Sequence, residues 1–574
     1  MPGKPALDWF IRQLTQEQEE QKKNLITQQS LNPLLAHLLV LRNFKTSNSV
    51  QTFLHGTLAD LPDPFLLSEM DQAVDRLLLA LTRKERILFF GDYDVDGITA
   101  TAQLQAYFRE MGLPTQAFLP HRMQEGYGLN EKSLAKILRL KPDLLITIDN
   151  GTNSLREISF LREKGIDVMV IDHHETPNTR PPVSALINPK RNDSKFPDQN
   201  VASAGLAFLL LVAFRSRCRE RGITPLPNLK RYLDLACLGT VADLVPLTGV
   251  NRLLVKYGLE EIGASQRIGL KALMTVAGVS APVNTGAVAF RLAPRINAAG
   301  RLADPSIALE LLLTEDGTTA TQLANQLETL NQERQRIEGE ATQEAITMIQ
   351  QNSPDRKGLV AYSPRWHLGV VGIVAAKLTE YFRKPAVVLS ISEDGLEARG
   401  SARTISGLSV YDALKKIEDE MLRFGGHTAA AGMTVRADNL EKFARRFDES
   451  VREIWNNEIS SNYCVDLDVP LREITPSLVQ ELTLLEPYGL GNPEPTLMSS
   501  HVQLRSSRVV GAKHLKTQLC QEGKLIDAIG FSWASYLETS LEHDLHTIAF
   551  SPQINEWNGN KTLQLKIKNM TPTT

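Results

Sequence analysis

The stretch FFGDYDVDG, residues 89–97, places three alternating carboxylates, Asp92, Asp94 and Asp96, directly after an apolar run. The run is short and rich in β-formers, which predicts a buried strand, and a helix is expected to begin near Ile98. In open α/β sheets, ligands lie in the crevice outside the carboxyl ends of the strands. Three like charges in one loop repel strongly, and a bound divalent cation is the usual remedy. An acidic turn or a lone calcium loop is the competing interpretation.

Short apolar runs recur at 87–90, 144–148 and 168–171, with helical patterns between them. Runs of four or five residues rich in β-formers are typical of buried parallel strands, so the fold class is expected to be α/β. The second run leads into ITIDNG, where Asp149 ends the strand and Gly151 allows a sharp turn. A lone aspartate in such a position is most often a helix cap.

Two more segments supply polar groups of the same kind. VIDHHE at 170–175 presents His173 and His174, whose side chains point to opposite sides of an extended chain. GTVADLVP at 239–246 places Asp243 in an apolar stretch, where an unpaired carboxylate would be costly to bury. Packing or capping would satisfy each of these residues alone. Without a shared site, each of the four segments would need a separate packing or capping role. One metal site that uses all of them is the simpler explanation.

The combined donor set consists of carboxylates and imidazoles without cysteine. Such a set suits Mn²⁺ or Mg²⁺ better than a structural zinc. The number of donors predicts two ions. Two ions about 3.5–4 Å apart would bridge an attacking hydroxide and a phosphoryl oxygen, so phosphoester hydrolysis is the expected reaction.

Composition restricts the class of protein. The 574-residue chain is 42% apolar and 22% charged, which excludes a disordered, collagenous or coiled-coil protein. Its formal net charge of −3 means that any nucleic acid must be held by local charge. The apolar stretch 206–214 is far shorter than the ~20 residues that span a bilayer, and no secretory signal is recognisable. The four cysteines are widely spaced, as in a reducing cytoplasm, so a cytoplasmic protein without a membrane partner is expected.

Periodicity along the chain predicts five regions. Residues 1–80 are expected to be a helical N-terminal leader, residues 81–304 the α/β catalytic domain and residues 305–350 a long connecting helix. Residues 351–455 are expected to form a second α/β domain. Short β-like runs over 456–574 predict a small β-barrel.

Aromatic residues in the last region fit two roles. They are Phe531, Trp533, Tyr536 and Trp557. In an oligonucleotide-binding (OB) barrel, bases stack on such side chains. Packing in the barrel core is the commoner role for aromatics, and the sequence alone leaves both interpretations open.

The segments DYDVDG, IDNG, DHH and GTVADLVP occur in this order, and the chain resembles the DHH phosphoesterases over most of its length. HRMQEGYGLN (121–130), PRINAAGRLADP (294–305), GGHTAAAG (425–432) and EPYGLGNPEP (486–495) narrow the resemblance to bacterial exonucleases specific for single-stranded DNA. It implies a DHH catalytic domain, a DHH-associated domain and an OB-like barrel. It also implies 5′-to-3′ release of 5′-mononucleotides in recombination and mismatch repair, with Mn²⁺ or Mg²⁺.

The resemblance carries roles over to residues in the matching motifs. The implied metal ligands are Asp92, Asp94, Asp96, Asp149, His173 and Asp243. His174 is expected to hold the substrate phosphate or to act as a general acid. Asp94, Asp96 and Arg301 are expected to take part in catalysis with it.

Basic residues near these motifs predict contacts to phosphate. Arg295 and Arg301 lie in a Gly/Ala-rich segment, where a guanidinium could hold a phosphate bidentately. A surface ion pair is the alternative for either. The part resembling a DHH-associated domain offers Arg399, Arg403, Gly425, Gly426 and His427 as further substrate contacts. Glycines would let a DNA backbone approach closely, but tight packing against a helix would explain them almost as well.

The sequence therefore predicts a cytoplasmic exonuclease that degrades single-stranded DNA of any sequence. Single-strand-binding protein and a helicase are the expected protein partners. One alternative is a DHH-family phosphodiesterase acting on nano-RNA, pAp or cyclic dinucleotides, or a pyrophosphatase. Another is an inactive DNA-binding scaffold. Loss of the acidic ligands would mark such a scaffold, and here all of them are present.

Overall fold

The N-terminal region combines one short strand with several helices. The computed structural model describes residues 9–122, 125–455, 463–537, 544–557 and 560–573. The first elements are β1 (Trp9–Ile11), α1 (Gln16–Gln29), α2 (Pro33–Leu41), α3 (Ser47–His55) and α4 (Met70–Arg83). Side-chain caps fix where α1, α2 and α3 begin. Thr15 and Gln18 form a capping box at α1, and Asn32 caps α2 ahead of Pro33.

A parallel sheet follows, as the short apolar runs predict. Its strands are β2 (Ile87–Gly91), β3 (Thr115–Phe118), β4 (Leu144–Ile148), β5 (Asp167–Ile171) and β6 (Ala185–Ile187), in the order β3-β2-β4-β5-β6. Its helices are α5 (Val95–Glu110), α6 (Glu131–Leu140), α7 (Leu155–Glu163), α8 (Ser203–Glu220), α9 (Leu233–Ala242), α10 (Gly249–Gly263), α11 (Ile268–Val276), α12 (Thr285–Ala287), α13 (Ala293–Leu302) and α14 (Ser306–Leu313). Strands β2 and β4 are buried along their whole length, because apolar side chains pack on both faces of the sheet.

A 36-residue helix, α15 (Gly317–Asn352), leads to a second α/β region. The Asp316 side chain caps α15 by accepting a hydrogen bond from the Thr319 N–H. The next elements are β7 (Leu359–Ser363), α16 (Val371–Phe382), β8 (Ala386–Ile391), β9 (Glu397–Arg403), α17 (Val410–Lys415), β10 (Arg423–His427), β11 (Ala430–Arg436) and α18 (Leu440–Ile454). Their sheet has the order β10-β11-β9-β8-β7, in which only the β7–β8 pair is parallel.

The C-terminal region is a closed barrel, which confirms the predicted architecture. Its elements are β12 (Tyr463–Val465), β13 (Leu467–Asp468), α19 (Pro476–Leu482), β14 (Leu497–Val510), β15 (His514–Gln521), β16 (Lys524–Gly530), β17 (His546–Trp557) and β18 (Asn560–Pro572). Strands β14, β15, β16, β18 and β17 pair in turn, and β17 pairs back to β14. Trp533 is buried in this region, whereas Phe531 is 49% exposed. The side chain of Trp557 lies outside the described residues.

Helices α1, α2 and α3 pack on the barrel, whereas α4 packs on the parallel sheet. Strand β1 pairs in parallel with β12. Leu35 and Leu38 of α2 share one buried core with Leu497 and Phe550 of the barrel. The two ends of the described chain therefore form one packed module, which we call the C-terminal module.

A buried arginine ties this module to the catalytic region. Arg252 of α10 is 2% exposed and donates hydrogen bonds to the carbonyls of Phe53 (3.0 Å), Leu484 (2.8 Å) and Leu485 (2.9 Å). Three carbonyl partners compensate for the cost of burying its charge. None of the described helices combines the length and apolarity that a membrane crossing requires.

Candidate metal centre and nucleic-acid groove

The acidic segments meet at the carboxyl edge of the parallel sheet. Gly91, Ile148 and Ile171 are level with one another in the strand register, so the residues that follow them emerge side by side. The N–H of Asp92 donates to the Ile148 carbonyl at 3.2 Å, and the N–H of Asp149 donates to the Ile171 carbonyl at 2.9 Å. The ladder thus continues past the strand ends and fixes both aspartates at one edge.

Seven side chains are close enough there to hold metal ions in overlapping groups. Within each group, the candidate ligand atoms lie within 4.8 Å of one another. The groups are Asp149, His173 and His174; Asp96, His173 and Asp243; and Asp92, Asp94 and Asp149. The structure therefore brings together all six residues predicted as ligands, and His174 with them.

The start of helix α5 fixes two of the carboxylates. Asp94 is the N-cap of α5 and accepts a hydrogen bond from the Gly97 N–H at 3.2 Å. Asp96 is buried and accepts from the N–H groups of Ser203 (2.7 Å) and Ala204 (2.8 Å). These two N–H groups begin α8, so a helix N-terminus stabilises the Asp96 charge. A side chain at Gly97 would collide with Asp92, since an added Cβ would lie 2.6 Å from its backbone nitrogen.

The crowding of carboxylates raises their pKa values. Burial, and then the charge of Asp94, raises the pKa of Asp96 to about 7. Burial, and then the charge of Asp96, raises the pKa of Asp243 to about 9. The pKa values of Asp92 and Asp149 are also raised, again chiefly by burial. Without a cation, the cluster therefore favours its protonated forms.

The two histidines differ in environment. The Nε2 atom of His173 lies 3.2 Å from Asp149 Oδ1 and 3.6 Å from Asp243 Oδ2. Burial lowers the pKa of His173 to about 4, so its ring is neutral and suited to metal ligation. His174 Nδ1 is hydrogen-bonded to Asp172 Oδ1 at 2.7 Å. Burial opposes ionisation of His174, but the hydrogen bond to Asp172 raises its pKa to about 9.

The residues present fit a pair of divalent cations. Asp92 Oδ1 is buried, and it has no hydrogen-bond partner among the described residues. A buried carboxylate oxygen in that state is costly unless a cation or proton compensates for it. The remaining donors are carboxylates and one neutral imidazole, a set that suits Mn²⁺ and Mg²⁺.

A cavity of about 340 Å³ opens above the carboxylates. Asp92, Asp94, Asp149, Asp243 and His174 line one side of it. The same cavity is bordered by Tyr93, Arg122, Tyr127, Ala242, Asn297, Gly300 and Arg301.

The cavity continues into a larger groove of about 690 Å³ between the two α/β regions. Tyr93, Arg122 and Arg301 line both spaces. The second α/β region contributes Arg399, Arg403, Arg423, Phe424 and Gly425 to the groove. Five arginines therefore face one groove, which we call the arginine groove, next to the acidic cluster.

Arg301 links the two α/β regions at this junction. Its guanidinium donates to the Gly369 carbonyl at 2.9 Å, and burial lowers its pKa to about 10. Arg403 is also largely buried, and its guanidinium donates to Ser401 Oγ at 2.6 Å and to the Ala402 carbonyl at 2.8 Å. These contacts hold both guanidinium groups in place at the wall of the arginine groove.

Comparison with protein families matches three parts of the chain. Residues 86–240 match the model described as the DHH family, N-terminal domain, and residues 355–453 match the DHHA1 domain. Residues 465–569 match the RecJ OB domain. A curated relative from Escherichia coli (strain K12), named single-stranded-DNA-specific exonuclease RecJ, is 37% identical over 567 residues and covers 94% of this chain and 96% of that protein. The chain belongs to the RecJ family.

Further RecJ proteins agree with this family assignment. The relative of the same name from Dickeya dadantii (strain 3937) is 36% identical over 563 residues, covering 95% of this chain and 96% of that protein. The crystal structure of RecJ in complex with Mn²⁺ from Thermus thermophilus has a TM-score of 0.83 and is 31% identical, covering 99% of this chain and 80% of that one. The Mg²⁺ complex from the same organism has a TM-score of 0.77. The family and fold predicted from the sequence are confirmed, and these two ions are the ones that the donor set of this RecJ-family chain favours.

Arg295 is a predicted phosphate contact that lines neither the cavity nor the arginine groove. Its guanidinium forms an ion pair with Glu328 of α15. Arg295 and Arg301 both lie on α13. Positions six apart on a helix point about 120° away from each other. Arg301 therefore faces the metal cavity of this RecJ-family protein, while Arg295 turns towards the long helix.

The glycine-rich segment forms the hairpin of β10 and β11. Gly425 lines the arginine groove, and an added Cβ there would meet nothing within 4 Å. At Gly426 an added Cβ would lie 2.4 Å from the Ala430 carbonyl oxygen, so the hairpin itself requires glycine. His427 is exposed and is not among the residues that line the groove. Packing within the hairpin thus accounts for glycine at 426, whereas glycine at 425 leaves open space at the wall of the groove.

Sequence reasoning missed several residues of the site. Asp172 orients His174, and Asn297 Oδ1 accepts a hydrogen bond from the Val95 N–H at 3.2 Å at the start of α5. Arg122 lies over the Tyr93 ring, 5.2 Å from its centroid. Asn297 and Arg122 belong to the quoted segments PRINAAGRLADP and HRMQEGYGLN, so the segments carried the signal without indicating which side chain mattered. Met123 and Gln124 of the second segment lie outside the described residues.

Proposed function

We propose that this RecJ-family protein is a metal-dependent exonuclease specific for single-stranded DNA. The observation that carries the proposal is that the acidic cavity opens into the arginine groove past Tyr93, Arg122 and Arg301. A strand whose phosphates lie in the groove would bring a phosphodiester to the carboxylates. The relatives from Escherichia coli and Dickeya dadantii, named single-stranded-DNA-specific exonuclease RecJ, support this substrate.

In this proposal the six converging ligands hold two divalent cations, Mn²⁺ or Mg²⁺. The ligands are Asp92, Asp94, Asp96, Asp149, His173 and Asp243. When bound, such a pair activates a water molecule and compensates for the charge that develops on the phosphoryl group. The protein contributes preorganisation, because hydrogen bonds from Ser203 hold the carboxylates of Asp96 and Asp149 before substrate arrives. Arg301, fixed by the Gly369 carbonyl, supplies positive charge beside the reacting phosphate.

His174 is assigned the role of proton donor to the leaving oxygen. Its Nδ1 is engaged by Asp172, and the ring lines the metal cavity. The hydrogen bond overcomes the effect of burial and raises the pKa to about 9, so the ring carries a proton at neutral pH. A protonated ring at that place can donate to an alkoxide as it leaves.

Replacing His174 by Ala should lower kcat about 10²- to 10⁴-fold, the usual contribution of a general acid. Because His174 acts on the leaving group in this proposal, Mn²⁺ affinity should fall much less. Steady-state digestion of single-stranded DNA and Mn²⁺ titration calorimetry measure the two quantities. An affinity loss as large as that of a predicted ligand variant would show that His174 is a metal ligand instead.

Strand recognition in this proposal is independent of sequence. The groove offers guanidinium groups, which contact phosphate oxygens without reading bases. Tyr93 and Phe424 are aromatic surfaces on which any base can stack. A duplex presents its phosphates on a wide, stiff double helix, whereas a single strand can bend into a groove between two α/β regions.

Replacing Arg403 or Arg423 by Ala should weaken binding of single-stranded oligonucleotides of all sequences to a similar extent. Each lost phosphate contact should also reduce the slope of log affinity against log salt by about 0.7. Fluorescence anisotropy over a salt series measures both effects. Arg295→Ala is the matched control, since Arg295 pairs with Glu328 away from the groove. A control variant that weakens binding as much as the other two would contradict the groove assignment.

The resemblance further supports 5′-to-3′ polarity with 5′-mononucleotide products, in DNA recombination and repair in the cytoplasm. A helicase would supply the single strand, and a single-strand-binding protein would cover it. The deciding experiment is digestion of 5′- and 3′-end-labelled DNA, single-stranded and duplex, with Mn²⁺ or with EDTA. We expect early release of a labelled mononucleotide only from the 5′ end of single-stranded DNA with Mn²⁺. Equal digestion of duplex DNA, turnover in EDTA, or preference for nano-RNA or pAp in parallel reactions would overturn the proposal.

A further inference from the structure

Asp243 is held differently from the other candidate ligands. Asp92 and Asp149 follow strands whose register is fixed by the sheet, whereas Asp243 ends helix α9 and donates its N–H to the Gly239 carbonyl. Across the described residues, its carboxylate accepts no hydrogen bond, and its ion-pair contact is with His173 Nε2 at 3.6 Å. The place of this carboxylate is therefore set by its backbone and by the loop that follows.

That loop contains a strained residue. Leu244 has a φ of +58°, in the left-handed region that residues with a Cβ rarely adopt. Such a conformation persists only where the surroundings enforce it. The Leu244 side chain is 68% exposed, so it is not the anchor. The backbone on either side of Leu244 therefore supplies the restraint. The Asp243 N–H before it donates to the Gly239 carbonyl, and the Pro246 carbonyl and the Leu247 N–H after it are also hydrogen-bonded.

The C-terminal module supplies contacts at that point, through the segment EPYGLGNPEP, which we call loop 486–495. The Leu247 N–H donates to the Leu490 carbonyl at 2.7 Å. Gly489 lies against Leu247, since an added Cβ would stand 2.6 Å from Leu247 Cδ1. An added Cβ on Gly491, whose φ is +73°, would stand 3.0 Å from the Cβ of Pro246. Two residues that follow Asp243 closely are thus seated on this loop.

Loop 486–495 is itself firmly anchored. Asn492 is fully buried, and its side-chain amide donates to the carbonyls of Leu485 (2.7 Å) and Pro487 (3.0 Å). The Arg42 guanidinium donates to Asn492 Oδ1 at 3.1 Å, which ties the loop to the N-terminal helices. On the catalytic side, Asn251 donates to the Pro246 carbonyl at 3.0 Å. The segment after Asp243 therefore contacts loop 486–495 on one side and Asn251 of α10 on the other.

We propose that loop 486–495 positions Asp243, so that the C-terminal module sets how tightly the catalytic region holds its metal ions. Gly489, Leu490 and Gly491 are positioning residues in this scheme, acting through Pro246 and Leu247. The proposal rests on the metal-ligand role proposed above for Asp243. Residues that support metal ligands from outside typically change metal affinity by about 10- to 100-fold when altered.

The test compares two glycine variants of the full chain. Gly491→Ala places a Cβ 3.0 Å from the Cβ of Pro246, so that Pro246 must shift by a few tenths of an ångström, and it also places alanine at a positive φ. Gly523→Ala places alanine at a similar φ, +82°, in the same module, where an added Cβ would meet nothing within 4 Å. The two variants therefore share the backbone strain and differ in the contact with the Asp243 loop. Titration calorimetry with MnCl₂ measures ion number and affinity, and thermal unfolding in EDTA checks that both variants fold.

We expect Gly491→Ala to bind one Mn²⁺ about tenfold more weakly than the native chain, with Gly523→Ala unchanged. The loss of kcat in Gly491→Ala should recover as Mn²⁺ is raised, whereas KM for DNA should stay constant. Equal Mn²⁺ affinities for the two variants would overturn the proposal. Asp243→Ala separates this outcome from the proposed function: if it binds as many ions as the native chain, the ligand role itself is wrong.

A second pair of variants covers the case in which Gly491→Ala does not fold. Gly489→Ala crowds Leu247, and the weakened Mn²⁺ binding expected of it should be relieved in the double variant Gly489→Ala/Leu247→Ala. Relief is expected because removing the Leu247 side chain frees the space that the new methyl group needs. Unaltered Mn²⁺ binding in Gly489→Ala, or no relief in the double variant, would count against positioning through this contact.

Discussion

Replacing Asp149 by Asn is expected to abolish digestion of single-stranded DNA, with kcat at least about 10³-fold lower, equivalent to about 4 kcal/mol of transition-state stabilisation. Asp149 belongs to two of the three candidate ligand groups. An amide of the same shape keeps the hydrogen bond with Ser203 Oγ but offers a cation only a neutral oxygen. Turnover of labelled single-stranded DNA at saturating Mn²⁺ measures the loss.

Asp143→Asn is the matched control for this experiment. Asp143 precedes strand β4 and Asp149 follows it, so the two aspartates stand at opposite ends of one strand. Asp143 forms an exposed ion pair with Arg86. We expect activity within about twofold of the native chain, because exposed pairs contribute little to stability. Turnover retained in Asp149→Asn, or lost in Asp143→Asn, would contradict the metal-centre assignment.

The metal-free protein should lose stability as the pH rises from 7 to 9. In the unfolded chain, aspartates have a pKa near 3.8 and are fully ionised in this range. In the folded chain, burial raises the pKa of Asp96 to about 7 and that of Asp243 to about 9, so the folded state keeps protons that the unfolded state has lost. Stability then falls with rising pH until these folded-state pKa values are passed, by about 1.4 kcal/mol for each unit of pKa difference.

His174 changes stability in the same direction. Its folded-state pKa of about 9 lies above the ordinary value of 6.5, so its stabilising contribution is also lost as the pH rises through that range. The lowered pKa of His173 acts in the opposite direction, but only below pH 6.5. Thermal unfolding midpoints in EDTA at pH 7, 8 and 9 should therefore decrease steadily.

Two further measurements test whether the acidic cluster causes this decrease in stability with rising pH. Saturating Mg²⁺ should remove most of the decrease, because a bound cation compensates for the ionised carboxylates. Asp149→Asn should show a shallower decrease in EDTA and a higher midpoint at pH 9, since one buried charge is gone. A midpoint that rises with pH, or a variant that follows the native curve, would show that the cluster does not control stability in this range.

The sequence predicted the core of the candidate site because a parallel sheet brings the carboxyl ends of its strands to one edge. That rule alone, without further knowledge of long-range packing, predicts that Asp92, Asp149 and His173 lie close together. The cost of burying a lone carboxylate singled out Asp243 but left metal ligation and helix capping open, and the family resemblance implied the ligand role. Their roles as ligands stay a prediction that the experiments above test.

The other parts of the site and of the fold depend on long-range contacts, which local sequence patterns do not encode. Arg295 and Arg301 look equivalent in the segment PRINAAGR, and only the rotation of α13 and the presence of Glu328 separate them. Arg423 stands in a hairpin whose partner strands come from elsewhere in the second α/β region. The helical pattern at 1–80 gave no sign that α1, α2 and α3 pack on the barrel while α4 packs on the parallel sheet, because an apolar helix face does not specify which surface it packs against.

The pairing of β1 with β12 has a consequence for how the chain matures on the ribosome. Arg12 and Cys464, which are in contact beside this pairing, are separated by 452 residues. At about 5–20 residues per second, roughly 20 to 90 s of translation separate the emergence of the first strand from that of its partner. Throughout that delay, the leucine-rich helix α2 has no barrel to cover it. Nascent chains of this protein are therefore expected to need chaperone shielding of α2 until the strands of the barrel have emerged.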